Sequence, residues 1–150
     1  MSLTYATLAT LIKYPYPSYN KNGKKKYNIF HSEIDTFKKV MEGCGITCLD
    51  EKTHAYARHP LSYMMEAADD ICYLILDMED AHKRGIITTE SIDSSLTSFF
   101  KEDETWFKER KESMYKNVTD NNERMAFLRA TAINKLADCV SNVFINNYDA

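Results

Sequence analysis

Glu66-Ala-Ala-Asp-Asp-Ile-Cys-Tyr-Leu-Ile-Leu-Asp-Met-Glu-Asp80 is the stretch from which the fold can be read. Wound as a helix at roughly 100° per residue, it sorts its side chains into two arcs. With Asp69 at the origin, Asp80 falls at about 20°, Tyr73 at about 40°, Glu66 at about 60°, Asp77 at about 80° and Asp70 at about 100°. Leu61, Met64, Met65, Ala68, Ile71, Cys72, Ile75 and Met78 gather on the opposite arc. Like charges three and four residues apart disfavour an isolated helix by a few tenths of a kcal/mol per pair. A solvated face normally mixes both signs, yet lysine and arginine are absent from residues 66–80. Such a stripe suits a divalent metal or a polyhydroxyl ligand, because each neutralises or hydrogen-bonds the oxygens. The tyrosine among the acids is placed to cover a ligand with its ring.

Working outward, four glycines and three prolines interrupt the 150 residues and no alternating strand pattern stands out, so an all-α fold of about six helices around the long acidic one is expected. A short apolar helix over residues 3–14 ends at Pro15 and Pro17. Residues 16–28, rich in Asn and Lys, read as a mobile loop. The next helix spans 32–42, with Ser32 as N-cap, Asp35 in the capping-box position, and Gly43 and Gly45 at its end. Residues 47–56 look irregular. Pro60 suits the first turn of the acidic helix, which runs to Arg84 and stops at Gly85, with His82, Lys83 and Arg84 complementing its dipole. Further helices are expected over 89–101, 104–116 and 121–146, the last opened by Asp120 with Glu123. Its series Met125, Leu128, Ala132, Ile133, Leu136, Val140, Val143 and Phe144 is expected to pack on the apolar arc of the acidic helix.

Composition bounds the rest. The length suits one domain, and 44% hydrophobic with 27% charged residues excludes global disorder. A net charge of −3 offers no broad attraction for nucleic acid or an anionic membrane. Cys44 and Cys48 form a C-x3-C that no second pair or nearby histidine completes into a zinc set. Cys72 and Cys139 lie on apolar helical patterns and are expected in the core. With no signal peptide and no run of eighteen apolar residues, the expected setting is the cytoplasm. Trp106 and the pair Phe99-Phe100 are expected as core or interface anchors.

The segment from Arg58-His-Pro-Leu-Ser-Tyr-Met-Met through Asp80 strongly resembles the HD-superfamily dGTP triphosphohydrolases, in the part that follows their central histidines. Leu3-Thr-Tyr-Ala-Thr-Leu-Ala-Thr-Leu-Ile-Lys-Tyr-Pro15, Phe30-His-Ser-Glu33 and Leu128-Arg-Ala-Thr-Ala-Ile-Asn134 are similar to the same family, in the same order. The resemblance implies hydrolysis of a dNTP to the deoxynucleoside and inorganic triphosphate with a divalent metal such as Mg or Mn. It implies that Asp69 is the distant metal-ligating aspartate. It further implies that Tyr73, four residues on, stacks on the deoxyribose and that Asp77, eight on, bonds its 3′-hydroxyl. Arg58, Arg124 and Arg129 are candidate phosphate contacts, since arginine forks suit phosphate.

The departure from the family is equally informative. The four histidines are followed by Ser32, Ala55, Pro60 and Lys83, so no His-Asp pair exists and three of the family's four metal ligands are missing. The chain is therefore expected to be part of a longer polypeptide, inactive and unable to retain the ion alone. The remainder of that polypeptide, a dNTP and other copies of the chain are its expected partners, with no membrane and no nucleic acid. The alternative is a helical binding or regulatory module that keeps the fold without the chemistry.

Overall fold

Capping chemistry sets where the helices begin. The computed structural model describes residues 3–20, 26–101 and 104–147. Helix α1 (Tyr5–Thr10) starts where the Thr4 hydroxyl accepts the Thr7 N–H at 3.2 Å. It is shorter than expected, because the chain leaves helical geometry well before Pro15. A 3-10 turn (His31–Glu33) leads into α2 (Ile34–Gly43). The cap there is not made by Ser32 and Asp35. Phe30 N–H donates to the Glu33 carboxylate and Glu33 N–H returns to the Phe30 carbonyl, both at 3.0 Å.

Helix α3 (Pro60–Lys83) opens on its proline and gives way to Gly85, whose φ of 70° is the left-handed conformation that glycine adopts without steric cost. Helices α4 (Thr89–Thr97), α5 (Thr105–Asn117) and α6 (Asn121–Asn146) follow. Asp120 caps α6 by accepting the Glu123 N–H at 2.9 Å, the start its sequence predicts. The all-α expectation holds among the described residues except at 47–56, where β1 (Cys48–Asp50) and β2 (Ala55–Tyr56) form an antiparallel ribbon. Strands this short carry no readable alternation. Asp50 stabilises their turn by accepting the Lys52 N–H at 2.9 Å, and His54 takes a left-handed φ of 51°.

The chain gathers into two compact units, Met1–Ala67 and Ala68–Ala150. In the first, Ala9, Ile29, Phe37, Val40, Met41 and Tyr56 form the core, with the Phe37 and Tyr56 rings edge to face at 5.2 Å. Residues 16–20 contribute buried Tyr16, Pro17 and Asn20, while 21–25 lie outside the described residues. Gly43 does more than end α2: a Cβ there would stand 2.4 Å from the Tyr5 ring. Gly43→Ala should therefore cost about 1–3 kcal/mol, read as a lowered urea midpoint. An unchanged midpoint would mean that the ring moves aside freely.

The second unit is built on Ile75, Ile92, Leu96, Phe100, Phe107, Met125, Leu128 and Ala132, with Met78, Ile133 and Leu136 packed against them. Ile75 shares this core with Met125, Leu128 and Ala132 of α6, whereas Val143 of the expected α6 series is 64% exposed, and α4 and α5 supply much of the core. Phe100 stacks on Phe107 at 3.7 Å, and Trp106 lies edge-on to both while remaining half exposed. The expectation for two cysteines is overturned: Cys72 and Cys139 are exposed. Cys72 sits at the edge of its apolar arc, and Cys139 lies past Leu136, where the core on α6 ends. No helix among the described residues is long and apolar enough to cross a membrane.

Candidate functional site

Helix α3 presents its acidic stripe to solvent as a single face. Asp69, Asp70, Tyr73, Asp77 and Asp80 are all exposed, whereas Ile75 is 1% exposed on the other side. Because four residues rise about 6 Å along a helix, Asp69, Tyr73 and Asp77 project from consecutive turns in nearly one direction. Tyr73 is 62% exposed and is joined at the surface by Cys72, Leu74 and Leu76. A purely solvated face would not carry these apolar side chains, so the stripe has the mixed character of a ligand-facing or covered surface. The one acid of the stretch that turns inward is Glu79, which the periodicity left out of the stripe. Burial pushes its carboxyl up, but the bonds from Lys83 at 2.9 Å and Arg129 at 2.5 Å outweigh this and hold it below the ordinary range.

That pairing places Arg129. Arg124 donates to the carbonyls of Val118 at 2.7 Å and Tyr115 at 2.9 Å, and lies over the Tyr115 ring at 4.7 Å. Both guanidiniums thus fasten helices of the second unit. Arg58 is differently situated. Its Nε donates to Ser62 Oγ at 3.2 Å, its Nη2 to Glu66 at 2.7 Å, and it stacks on Tyr63 at 4.0 Å.

Arg58 lines a cleft of about 990 Å³ in the first unit. Among the described residues, Lys13, Lys26 and Arg58 are the cations of its wall, against one carboxylate, Asp50, and Tyr14, Tyr16, Tyr56 and Tyr63 supply rings. Lys13 and Lys26 both approach the Tyr14 ring at 5.9 Å, and Tyr14 is held by its N–H donating to Asn28 Oδ1 at 2.6 Å. Asn20, 7% exposed, also lines the cleft, and its Oδ1 has no hydrogen-bond partner among the described residues. Lys13 was not legible as a site residue in the sequence, whereas Lys26 stands there in a run of three lysines that reads first as a solvated loop and second as a contact for a polyanion or a neighbouring subunit. The available signal was the Lys13-Tyr14 step directly after α1, which only the tertiary fold brings to Arg58.

The histidines do not converge. His59 Nδ1 accepts the Leu61 N–H at 3.2 Å at the start of α3, His82 Nε2 lies 2.9 Å from Thr89 Oγ1, and His31 and His54 each lie beside Tyr19. Among the described residues no three His, Cys, Asp or Glu side chains are grouped so as to hold a metal ion.

No family model matches the chain. It is 31% identical over 155 residues to a deoxyguanosinetriphosphate triphosphohydrolase-like protein of Pseudomonas aeruginosa, covering 99% of this chain and 33% of the relative. A Synechocystis protein of the same description is 34% identical over 156 residues, covering 98% and 33%. One from Listeria monocytogenes is 31% identical over 163 residues, covering 100% and 32%. The chain thus spans about a third of the length of the curated relatives it matches. The resemblance carried by residues 58–80 and the flanking segments is borne out along nearly the whole sequence.

Proposed function

We propose that this chain, homologous throughout to deoxyguanosinetriphosphate triphosphohydrolase-like proteins, is the part of a metal-dependent dNTP triphosphohydrolase that supplies one metal ligand and the deoxyribose contacts. The reaction converts dGTP or another dNTP to the deoxynucleoside and inorganic triphosphate. The observation that carries the reading is the projection of Asp69, Tyr73 and Asp77 from consecutive turns of one exposed helix face.

Asp69 alone does not fit a divalent ion, which needs several oxygen or nitrogen donors in a preformed geometry. The proposal therefore assigns Asp69 as one contributor to a set completed by residues outside these 150. Tyr73 offers a flat ring for the furanose, which in a pocket completed by further residues would leave no room for a 2′-hydroxyl, and Asp77 is an acceptor for the 3′-hydroxyl proton. Separately, the basic, tyrosine-lined cleft of the first unit is suited to a polyphosphate. Arginine and lysine N–H groups match phosphate oxygens there, beside the rings of Tyr14, Tyr16, Tyr56 and Tyr63.

Tyr73→Ala is expected to lower the dNTP-to-rNTP ratio of kcat/KM by roughly tenfold or more, and Asp77→Asn to raise KM by roughly 10–100-fold. An unchanged sugar preference in both variants would remove the sugar-reading assignment. The second reading, a helical binding module without chemistry, draws on the exposed Leu74 and Leu76 beside the stripe. It predicts no hydrolysis by any polypeptide carrying this segment.

A further inference from the structure

Glu66 is the acid of the stripe that is not open to a ligand. Its Oε1 accepts from Lys13 Nζ at 2.6 Å and its Oε2 from Arg58 Nη2 at 2.7 Å, with the carboxylate about a quarter exposed. Those two bonds, led by the one from Lys13, hold its carboxyl below the ordinary glutamate range, so it is ionised at neutral pH. One carboxylate thus bridges two of the three cations that line the basic cleft among the described residues, each oxygen taking one cation, as two non-bridging oxygens of a phosphate would.

Resting on the reading of that cleft as a polyphosphate site, we infer that Glu66 is an internal competitor for the anion. It neutralises Lys13 and Arg58 when the cleft holds no polyanion and thereby weakens binding and speeds release of a triphosphate. A bridging acid could act in two opposed ways, and the surroundings of Arg58 decide between them. If Glu66 mainly positioned the cations, its loss would weaken anion binding. Arg58, however, is held without it, by Ser62 Oγ at 3.2 Å, the Ser62 carbonyl at 3.4 Å and the Tyr63 ring at 4.0 Å, with Ser62 fully buried. What Glu66 adds beyond these is a negative charge beside the anion's place. Like charges a few ångströms apart repel across a partly solvated cleft, and this repulsion is screened by salt.

The test is calorimetric titration of the 150-residue chain with inorganic triphosphate at about 0.1 M salt. Glu66→Gln, which keeps the shape and removes the charge, is expected to bind at least about fivefold more tightly than the parent, and the gain should shrink toward unity near 1 M salt, where the screening length falls to about 3 Å. Glu66→Ala should act in the same direction, and serves if the glutamine variant does not fold. Equal or weaker binding by folded Glu66 variants would overturn the inference while leaving the cleft as an anion site. Lys13→Met should weaken binding severalfold. If it does not, or if neither parent nor variants bind triphosphate, the polyphosphate reading of the cleft fails and this inference with it.

Discussion

Asp69→Ala is expected to abolish turnover in the proposed triphosphohydrolase, with kcat/KM for a dNTP falling on the order of 10³-fold or more. A metal that stabilises charge developing on a phosphoryl oxygen contributes several kcal/mol, and each 1.4 kcal/mol is tenfold in rate. The effect is separable from folding. Asp69 is exposed on α3 and makes none of the ion pairs seen among the described residues, so alanine, the best helix former, should leave helicity unchanged or slightly raised while easing repulsion from Glu66 three residues earlier. The measurement is steady-state hydrolysis of dGTP with Mg or Mn, read beside circular dichroism. Normal turnover in a folded Asp69→Ala enzyme would remove Asp69 from the metal set.

The largest expected stability effect lies at Asp93 on α4. Its carboxylate accepts from Lys111 Nζ and Tyr115 Oη on α5 and from Thr97 Oγ1 at 3.3 Å, and Lys111 also donates to Thr97 at 2.9 Å. Arg124, stacked on Tyr115, ties the end of α5 to α6. Replacing Asp93 by alanine leaves a half-buried ammonium and a phenol without their acceptor, at a cost of about 2–4 kcal/mol, or a Tm lower by roughly 10 °C. A loss under about 0.5 kcal/mol would show that water replaces the carboxylate at this position.

The same network sets a pH dependence. Burial raises the Asp93 pKa, but the bonds from Lys111 and Tyr115 prevail and leave it below its ordinary 3.8; Tyr115 is pushed far up by burial and by Asp93. Glu79 ends below its ordinary 4.5 in the same manner. A carboxyl depressed in the folded state contributes stability that is fully present above its unfolded pKa and is lost as pH falls through the folded one. The second unit should therefore hold its stability at neutral pH and lose it below about pH 4, with a shallower acid slope in Asp93→Asn. An identical slope in that variant would clear Asp93 of the effect.

Much of this was legible before the fold was known. The Pro60 start of α3, the Asp120 cap and the full span of α6 follow from local chemistry, because a cap or a proline acts within a few residues. The acidic stripe was equally visible, since a helix converts sequence spacing directly into angle. Errors arose where a distant neighbour decided the outcome. The ribbon at residues 48–56 requires pairing that no short window displays. Gly43 reads as a helix stop, but its small size also answers to the ring of Tyr5. Cys72 and Cys139 look like core residues until the core forms on only part of each arc.

By itself the sequence determined a helical chain, its kinship, and the common direction of Asp69, Tyr73 and Asp77, because all of these depend on periodicity within one element. Only the tertiary structure decided which charges are open to a ligand. Glu66 looks like the other acids of the stripe and Glu79 falls on the opposite arc, yet only the fold bridges the first by Lys13 and Arg58 and buries the second against Arg129. The reason is physical: spacing along a helix fixes direction, whereas the state of a carboxylate depends on which cations the fold brings within hydrogen-bonding distance, from residues as distant in sequence as Lys13 is from Glu66.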